Sequence, residues 1–257
     1  MSRSVRWSAA LPAVGVVVLL MIVGGLWAAV AMDFRGAKAT EVEPASLPST
    51  SEVVSPEPAW TMSDARAAFA QRDSRTLVLG DSTGDGYDEW VHLWAGAEEL
   101  PVATWRAQSE SGYEPESPET RVWSGSAADA TAAYPVELWD EIWPSTDPDL
   151  VLLSFGHAQE SPAEATRQLE ALRVDIADHV EEAPIVVLLQ NPAADDADAD
   201  MREAIAVWAE DAGLPTIDIA MAFEDSGQPE ADLRLDAFHP SGAGSQLWAD
   251  VVEEALG

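Results

Sequence analysis

The sequence predicts an α/β domain of three layers, α/β/α, built on a parallel five-stranded sheet. Three observations carry that expectation. Short apolar runs recur along the chain, several without polar alternation, as expected of strands covered on both faces. Longer stretches with helical periodicity lie between them. Strands and helices take turns, and a helical crossover returns the chain so that each new strand runs parallel to the last.

The strand candidates are "TLVLG" (76–80), "PVATW" (101–105), "DLVLLSF" (149–155), "PIVVLLQ" (184–190) and "PTIDI" (215–219). Helical patterns fall near 86–97, 162–181, 198–212 and 241–256. In a sheet of this kind ligands bind beyond the carboxyl ends of the strands, and Gly80 to Gly86 lies at such an end.

Residues 8–32, "SAALPAVGVVVLLMIVGGLWAAVAM", carry no charge and are apolar enough to cross a bilayer as one N-terminal transmembrane helix. Arg3 and Arg6 precede the run, while Asp33, Arg35 and Lys38 follow it, which favours a cytoplasmic N-terminus with the remainder exported. Residues 1–35 therefore read as a cytoplasmic stub and signal anchor. A signal peptide cleaved near Ala31, after the small-x-small "AVA", is the competing reading and gives a secreted protein. Residues 36–63 turn to Pro, Ser, Thr and Glu, a composition that cannot bury a core and suits a disordered tether. The domain is expected over 64–257.

The chain has 257 residues and no cysteine, so thiol nucleophiles, disulfides and Cys-based zinc sites are excluded. Its 46 acidic residues against 13 basic ones give a formal charge of −33, which argues against nucleic acid and anionic headgroups as partners of the domain.

The stretch "LVLGDSTGDG", 77–86, admits three readings. As a calcium loop it places Asp81, Thr83, Asp85 and Gly86 at positions 1, 3, 5 and 6, but position 12 is His92 rather than a bidentate Glu, and a strand stands where a helix should. As a phosphate cradle it lacks both the P-loop Lys and the G-x-G-x-x-G spacing. As a turn presenting a reactive serine it gains from "DAFHP" (236–240) near the C-terminus. A nucleophilic serine needs a base, and the base needs an acceptor that fixes its tautomer; Ser82, His239 and Asp236 supply those types.

Four blocks occur in order: "GDS" after the first strand, "WSGSA" (123–127), "SFGHAQE" (154–160) and "DAFHP". Together they resemble the SGNH/GDSL hydrolases, esterases and acylhydrolases of a flavodoxin-like α/β/α fold, from Thr76 to the C-terminus. The resemblance implies Ser82 as nucleophile, His239 and Asp236 as its triad partners, and the backbone N–H groups of Ser82 and Gly125 as oxyanion donors. It implies no cofactor. In the third block the family has glycine, any residue, then asparagine, whereas here Gly156 is followed at that spacing by Ala158. Loss of one oxyanion donor typically costs about 10² to 10³ in rate, and Gln159 is the candidate replacement.

The expected partner is an ester substrate, an acetylated glycan or a short-chain ester. The alternatives are a weakly active or inactive domain of this fold that binds a cell-envelope glycan, and a lipid acyl hydrolase. The four histidines, His92, His157, His179 and His239, show no metal-binding spacing. His157 adjoins the expected site without an assigned role, and "ADDADAD" (194–200) reads as a solvated loop and helix start.

Overall fold

The computed structural model describes residues 60–106 and 112–257, all within the unit Val54–Gly257. The anchor and most of the tether expected from the sequence lie outside the described residues. Among the described residues no helix is long and apolar enough to cross a membrane.

Helix α1 (Met62–Phe69) opens with a capping box in which Thr61 and Asp64 satisfy each other's backbone N–H. Strand β1 (Thr76–Gly80) is buried along its whole length and ends at the nucleophile turn. After it come α2 (Trp90–Ala97), β2 (Val102–Trp105), β3 (Tyr113–Glu114) and β4 (Val122–Ser124). Two short helices, α3 (Tyr134–Glu137) and α4 (Trp139–Ile142), lead to β5 (Leu150–Ser154), also wholly buried. The long α5 (Pro162–His179), capped by Ser161, returns the chain to β6 (Ile185–Leu189). Then follow α6 (Ala199–Asp211), β7 (Thr216–Asp218), α7 (Ile219–Asp225), α8 (Glu230–Leu233) and α9 (Gly242–Leu256).

The sheet has seven strands in the order β3-β2-β4-β1-β5-β6-β7, all parallel except β3, which runs antiparallel to β2 at one edge. The expected count of five is thus corrected to seven. The two additions are two and three residues long, below the length at which an apolar run or its alternation is legible, and β4 is set between β2 and β1 by its neighbours. The helix expected from residue 86 starts at Trp90, because Gly86–Glu89 close a turn of their own.

Alternation along the central strands divides the core. Leu77, Leu79, Val151, Leu153, Ile185 and Val187 face α5 and α6. Val78, Leu150, Leu152, Val186 and Leu188 face the helices α1, α2 and α9, where Trp90 and Trp248 stack at 5.4 Å. Burial on both faces makes the middle of the sheet rigid, and the loops at its carboxyl edge inherit fixed starting points.

Candidate active site

At the end of β1 the chain turns sharply. Asp81 N–H donates to Ser154 O at 3.2 Å, and Gly84 N–H to Asp81 O at 3.3 Å. The Asp81 carboxylate is buried and accepts from Thr83 N (3.1 Å), from Thr83 Oγ1 (2.8 Å) and from Gln190 Nε2 at both oxygens (3.0 Å each). A side chain that satisfies its own turn in this way fixes the direction of the residue between, Ser82. Glycine is required at two points here: a Cβ on Gly80 would sit 2.9 Å from Ser154 O, and one on Gly84 3.0 Å from the Trp90 indole nitrogen.

The three residues singled out in the sequence converge. His239 Nε2 lies 2.9 Å from Ser82 Oγ, across 157 positions of sequence, and His239 Nδ1 lies 2.8 Å from Asp236 Oδ2. The second oxygen of Asp236 accepts the backbone N–H groups of Phe238 and His239, each at 2.9 Å. Those two backbone bonds, His239 first, and the contact with the His239 ring hold the Asp236 carboxyl down at about 2. An ionised Asp236 requires the His239 proton on Nδ1, which leaves the Nε2 lone pair facing the serine hydroxyl.

Gly125 departs from its expected part. Its N–H donates to Val78 O at 2.7 Å, a bond of the β1–β4 ladder, so it is not held free for an oxyanion. The glycine has a steric reason instead: a Cβ there would lie 2.7 Å from the Tyr113 hydroxyl and 2.8 Å from Leu79 Cδ2. Ser82 N–H, by contrast, has no acceptor among the described residues. Gln159 is buried after β5, with both amide atoms shielded from solvent and neither hydrogen-bonded among the described residues. An unpaired buried amide costs about 1–3 kcal/mol, a cost that a reacting group would relieve.

Several residues of the site were not singled out from the sequence. Gln190 gathers the turn from below, and its Oε1 accepts the His157 N–H at 3.0 Å. Within "ADDADAD", Asp198 is far from solvated: its Oδ1 accepts Ala193 N–H at 2.9 Å and pairs with Arg202, while its Oδ2 lies 3.1 Å from His157 Nδ1. The signal present in the sequence was the i, i+4 spacing of Asp198 and Arg202. On the other flank, burial pushes the Glu89 carboxyl up to about 7 against its bond from Gly86 N, and burial likewise raises Asp85. His92 on α2 meets Thr104 Oγ1 at 3.1 Å, and His179 accepts the Trp139 indole N–H at 2.7 Å, both structural contacts. Among the described residues no three His, Asp or Glu side chains gather as a metal site.

The chain resembles known proteins in sequence and in fold. The model of the GDSL-like lipase/acylhydrolase family matches residues 78–247. No curated protein sequence matches the chain. Solved structures with a similar fold include an acetylxylan esterase variant from Geobacillus stearothermophilus, at 18% identity over 72% of this chain and 94% of that one, with a TM-score of 0.54. A carbohydrate esterase family 3 protein from Talaromyces cellulolyticus aligns at 16% identity over 71% and 96%, TM-score 0.53. A member of the lipolytic G-D-S-L family from Veillonella parvula aligns at 14% over 70% and 97%, TM-score 0.52. At these identities the likeness is one of fold.

Proposed function

The chain belongs to the GDSL-like lipase/acylhydrolase family, and from that premise we propose that it hydrolyses esters through a covalent intermediate on Ser82. The observation that carries the proposal is the unbroken line from Asp236 through His239 to Ser82 Oγ, with separations of 2.8 and 2.9 Å. Neutral His239 takes the hydroxyl proton as Ser82 Oγ attacks the carbonyl carbon. The charge that develops on the carbonyl oxygen meets the Ser82 N–H. Collapse of the tetrahedral species breaks the ester C–O bond, and the imidazolium returns its proton to the departing alcohol. Water, deprotonated by His239, then attacks the acyl-serine; the acyl C–Oγ bond breaks to release the acid, and the imidazolium returns its proton to Ser82 Oγ.

For the substrate class we propose an O-acetyl ester on a glycan. Tyr87 and Phe238 belong to the same two loops as Ser82 and His239 and leave 64% and 43% of their surfaces exposed, aromatic surface beside the serine against which a sugar can pack. Neighbours of the fold named as acetylxylan and carbohydrate esterases support that choice. A second reading, a glycan-binding domain with weak turnover, draws support from Ala158 and from the ladder bond of Gly125. We also propose, from the uncharged run at 8–32 alone, that the domain works outside the cytoplasm.

The test is covalent labelling. A fluorophosphonate should add one adduct, mapped to Ser82 by peptide mass, with parallel loss of p-nitrophenyl acetate hydrolysis. Ser82→Ala should show neither. Labelling elsewhere, or turnover by the variant, rejects the mechanism.

A further inference from the structure

His157 takes no part in the steps above, yet it is the most constrained histidine of the molecule. Its side chain is 4% exposed, and its ring meets Phe238 at 5.6 Å. Nε2 lies 3.3 Å from Asn191 Oδ1. The orientation of Asn191 follows from its other contacts: Nδ2 donates to Phe238 O at 3.0 Å and to Pro192 O at 3.3 Å, and carbonyl oxygens only accept. The amide oxygen therefore faces His157, and His157 Nε2 must carry a proton. Nδ1 faces Asp198 Oδ2 at 3.1 Å, a close contact without hydrogen-bond alignment. An ionised carboxylate only accepts, and at this distance its charge favours a proton on Nδ1 as well. A ring whose two nitrogens both face acceptors is an imidazolium.

The far end of this chain of contacts is the catalytic loop. Phe238 O, held by Asn191, belongs to the residue before His239. The loop is open to water, with the Asp236 side chain 51% exposed and that of His239 34%. Apart from its own turn, it is tied to the β6–α6 connection at two points, by Asn191 and by Ala194 N–H, which donates to Ala237 O at 2.8 Å.

We propose that His157 is a positioning residue that works as a buried imidazolium. Through Asn191 it locks the Asp236–His239 loop to the Asp198 end of the β6–α6 connection, and ester hydrolysis fails when His157 loses its proton. The inference rests on the esterase reading for its effect on turnover.

The groups that face His157 are consistent with a retained proton. Burial disfavours the charge, but the contact with Asp198 and the nearby Asp81 and Asp198 carboxylates outweigh it, so the ring titrates above the ordinary histidine value. Arg202, which pairs with Asp198 and Asp196, is the opposing cation. Since the folded-state value is raised, the stabilisation is complete below the ordinary histidine pKa and is lost as pH rises through the folded one. A neutral ring then turns a lone pair on either Asp198 or Asn191 Oδ1, and the Asn191 bridge to Phe238 loosens.

The test combines rates and NMR. In wild type, kcat/KM on p-nitrophenyl acetate should fall on the alkaline side. Asp198→Asn should move that fall to lower pH by about one unit, since removing an opposite charge at this range changes a pKa by about 1–3 units. His157→Gln should lower the rate about tenfold and abolish the alkaline fall, leaving the acidic limb in place. Ring ¹⁵N shifts should show His157 doubly protonated at pH 7, and the His239 resonances should sense its titration in wild type but not in His157→Gln. The NMR readout needs no turnover, so a chain without esterase activity fails the functional proposal separately. A neutral His157 at pH 7, a flat alkaline rate, or an alkaline limb unmoved by Asp198→Asn overturns the inference.

Discussion

The molecule holds two Asp–His pairs about the same site, and they differ in what the second ring nitrogen meets. Asp236 and His239 are 2.8 Å apart and half open to water; His239 Nε2 faces a serine hydroxyl, a group that can donate. Asp198 and His157 are 3.1 Å apart and buried; His157 Nε2 faces an amide oxygen that can only accept. The first environment points a lone pair at a hydroxyl that can give up its proton, while the second favours a proton on both ring nitrogens. A carboxylate neighbour alone therefore does not decide the role of a histidine. The partner on the far nitrogen does.

Neutralising the two aspartates separates these roles. Asp236→Asn removes the acceptor that keeps the His239 proton on Nδ1, and the Asn amide then favours the wrong tautomer. The expected loss in kcat is about 10² to 10⁴, on the scale of the triad substitution in serine proteases. Asp198→Asn should cost only about tenfold near neutral pH, because it acts through Asn191 and Phe238 rather than on the reacting atoms. Equal losses from the two would erase the distinction. Because Asp236 is held at about 2, its own protonation should leave no mark on the wild-type rate above pH 3.

The strands that make the centre of the sheet were legible because burial on both faces demands unbroken apolar runs, as in "LVLLS" of β5. Strand β4 was not, since Val122–Ser124 owes its place to neighbours contributed from either side. Helix α1 was not expected: its capping box, Thr61 and Asp64, lies at the edge of a stretch whose composition read as tether. Ser82, Asp236 and His239 were legible because short motifs keep such residues at fixed local spacing. The His157–Asn191–Asp198 set was not, because His157 follows one strand while Asn191 and Asp198 follow the next, 34 and 41 positions further on, and no local pattern records a contact of that kind. Gly125 shows the reverse: the motif points to it as an oxyanion donor, while its N–H donates to Val78 O in the structure.

The oxyanion side of the site gives a smaller effect than the Asp236 substitution and a sharper question. If the unpaired Gln159 amide turns to the developing charge, Gln159→Ala should lower kcat by about 10-fold to 10²-fold with KM little changed, the pattern of a donor used only in the transition state. Ala158→Asn should then gain little. If instead Gln159 is only packing, its removal should relieve an unpaired amide and raise Tm, and Ala158→Asn should raise kcat. The two variants assayed together on one acetate ester assign the donor.

The smallest expected effect lies on the nucleophile side, where Glu89 gives the Ser82 loop a dependence of stability on pH of the same sign as that of His157, from a carboxyl that loses its proton rather than an imidazolium. Its Oε2 accepts Gly86 N–H at 2.7 Å, and burial, with repulsion from Asp85 and Asp88, raises its carboxyl from 4.5 to about 7. Between those values the folded protein binds more protons than the unfolded chain, so stability falls as pH rises through the window and levels off above it. Glu89→Gln retains an oxygen for Gly86 N–H and removes the titration. The variant should match wild type in Tm at pH 4 and exceed it by about 1–2 °C at pH 7.5, a small gain because water screens a half-buried carboxylate. Added salt should reduce the part due to Asp85 and Asp88 and spare the part due to burial. A difference between variant and wild type that is the same at pH 4 and 7.5 would mean that Glu89 acts through shape alone, leaving His157 as the residue by which pH acts on this site apart from the His239 base.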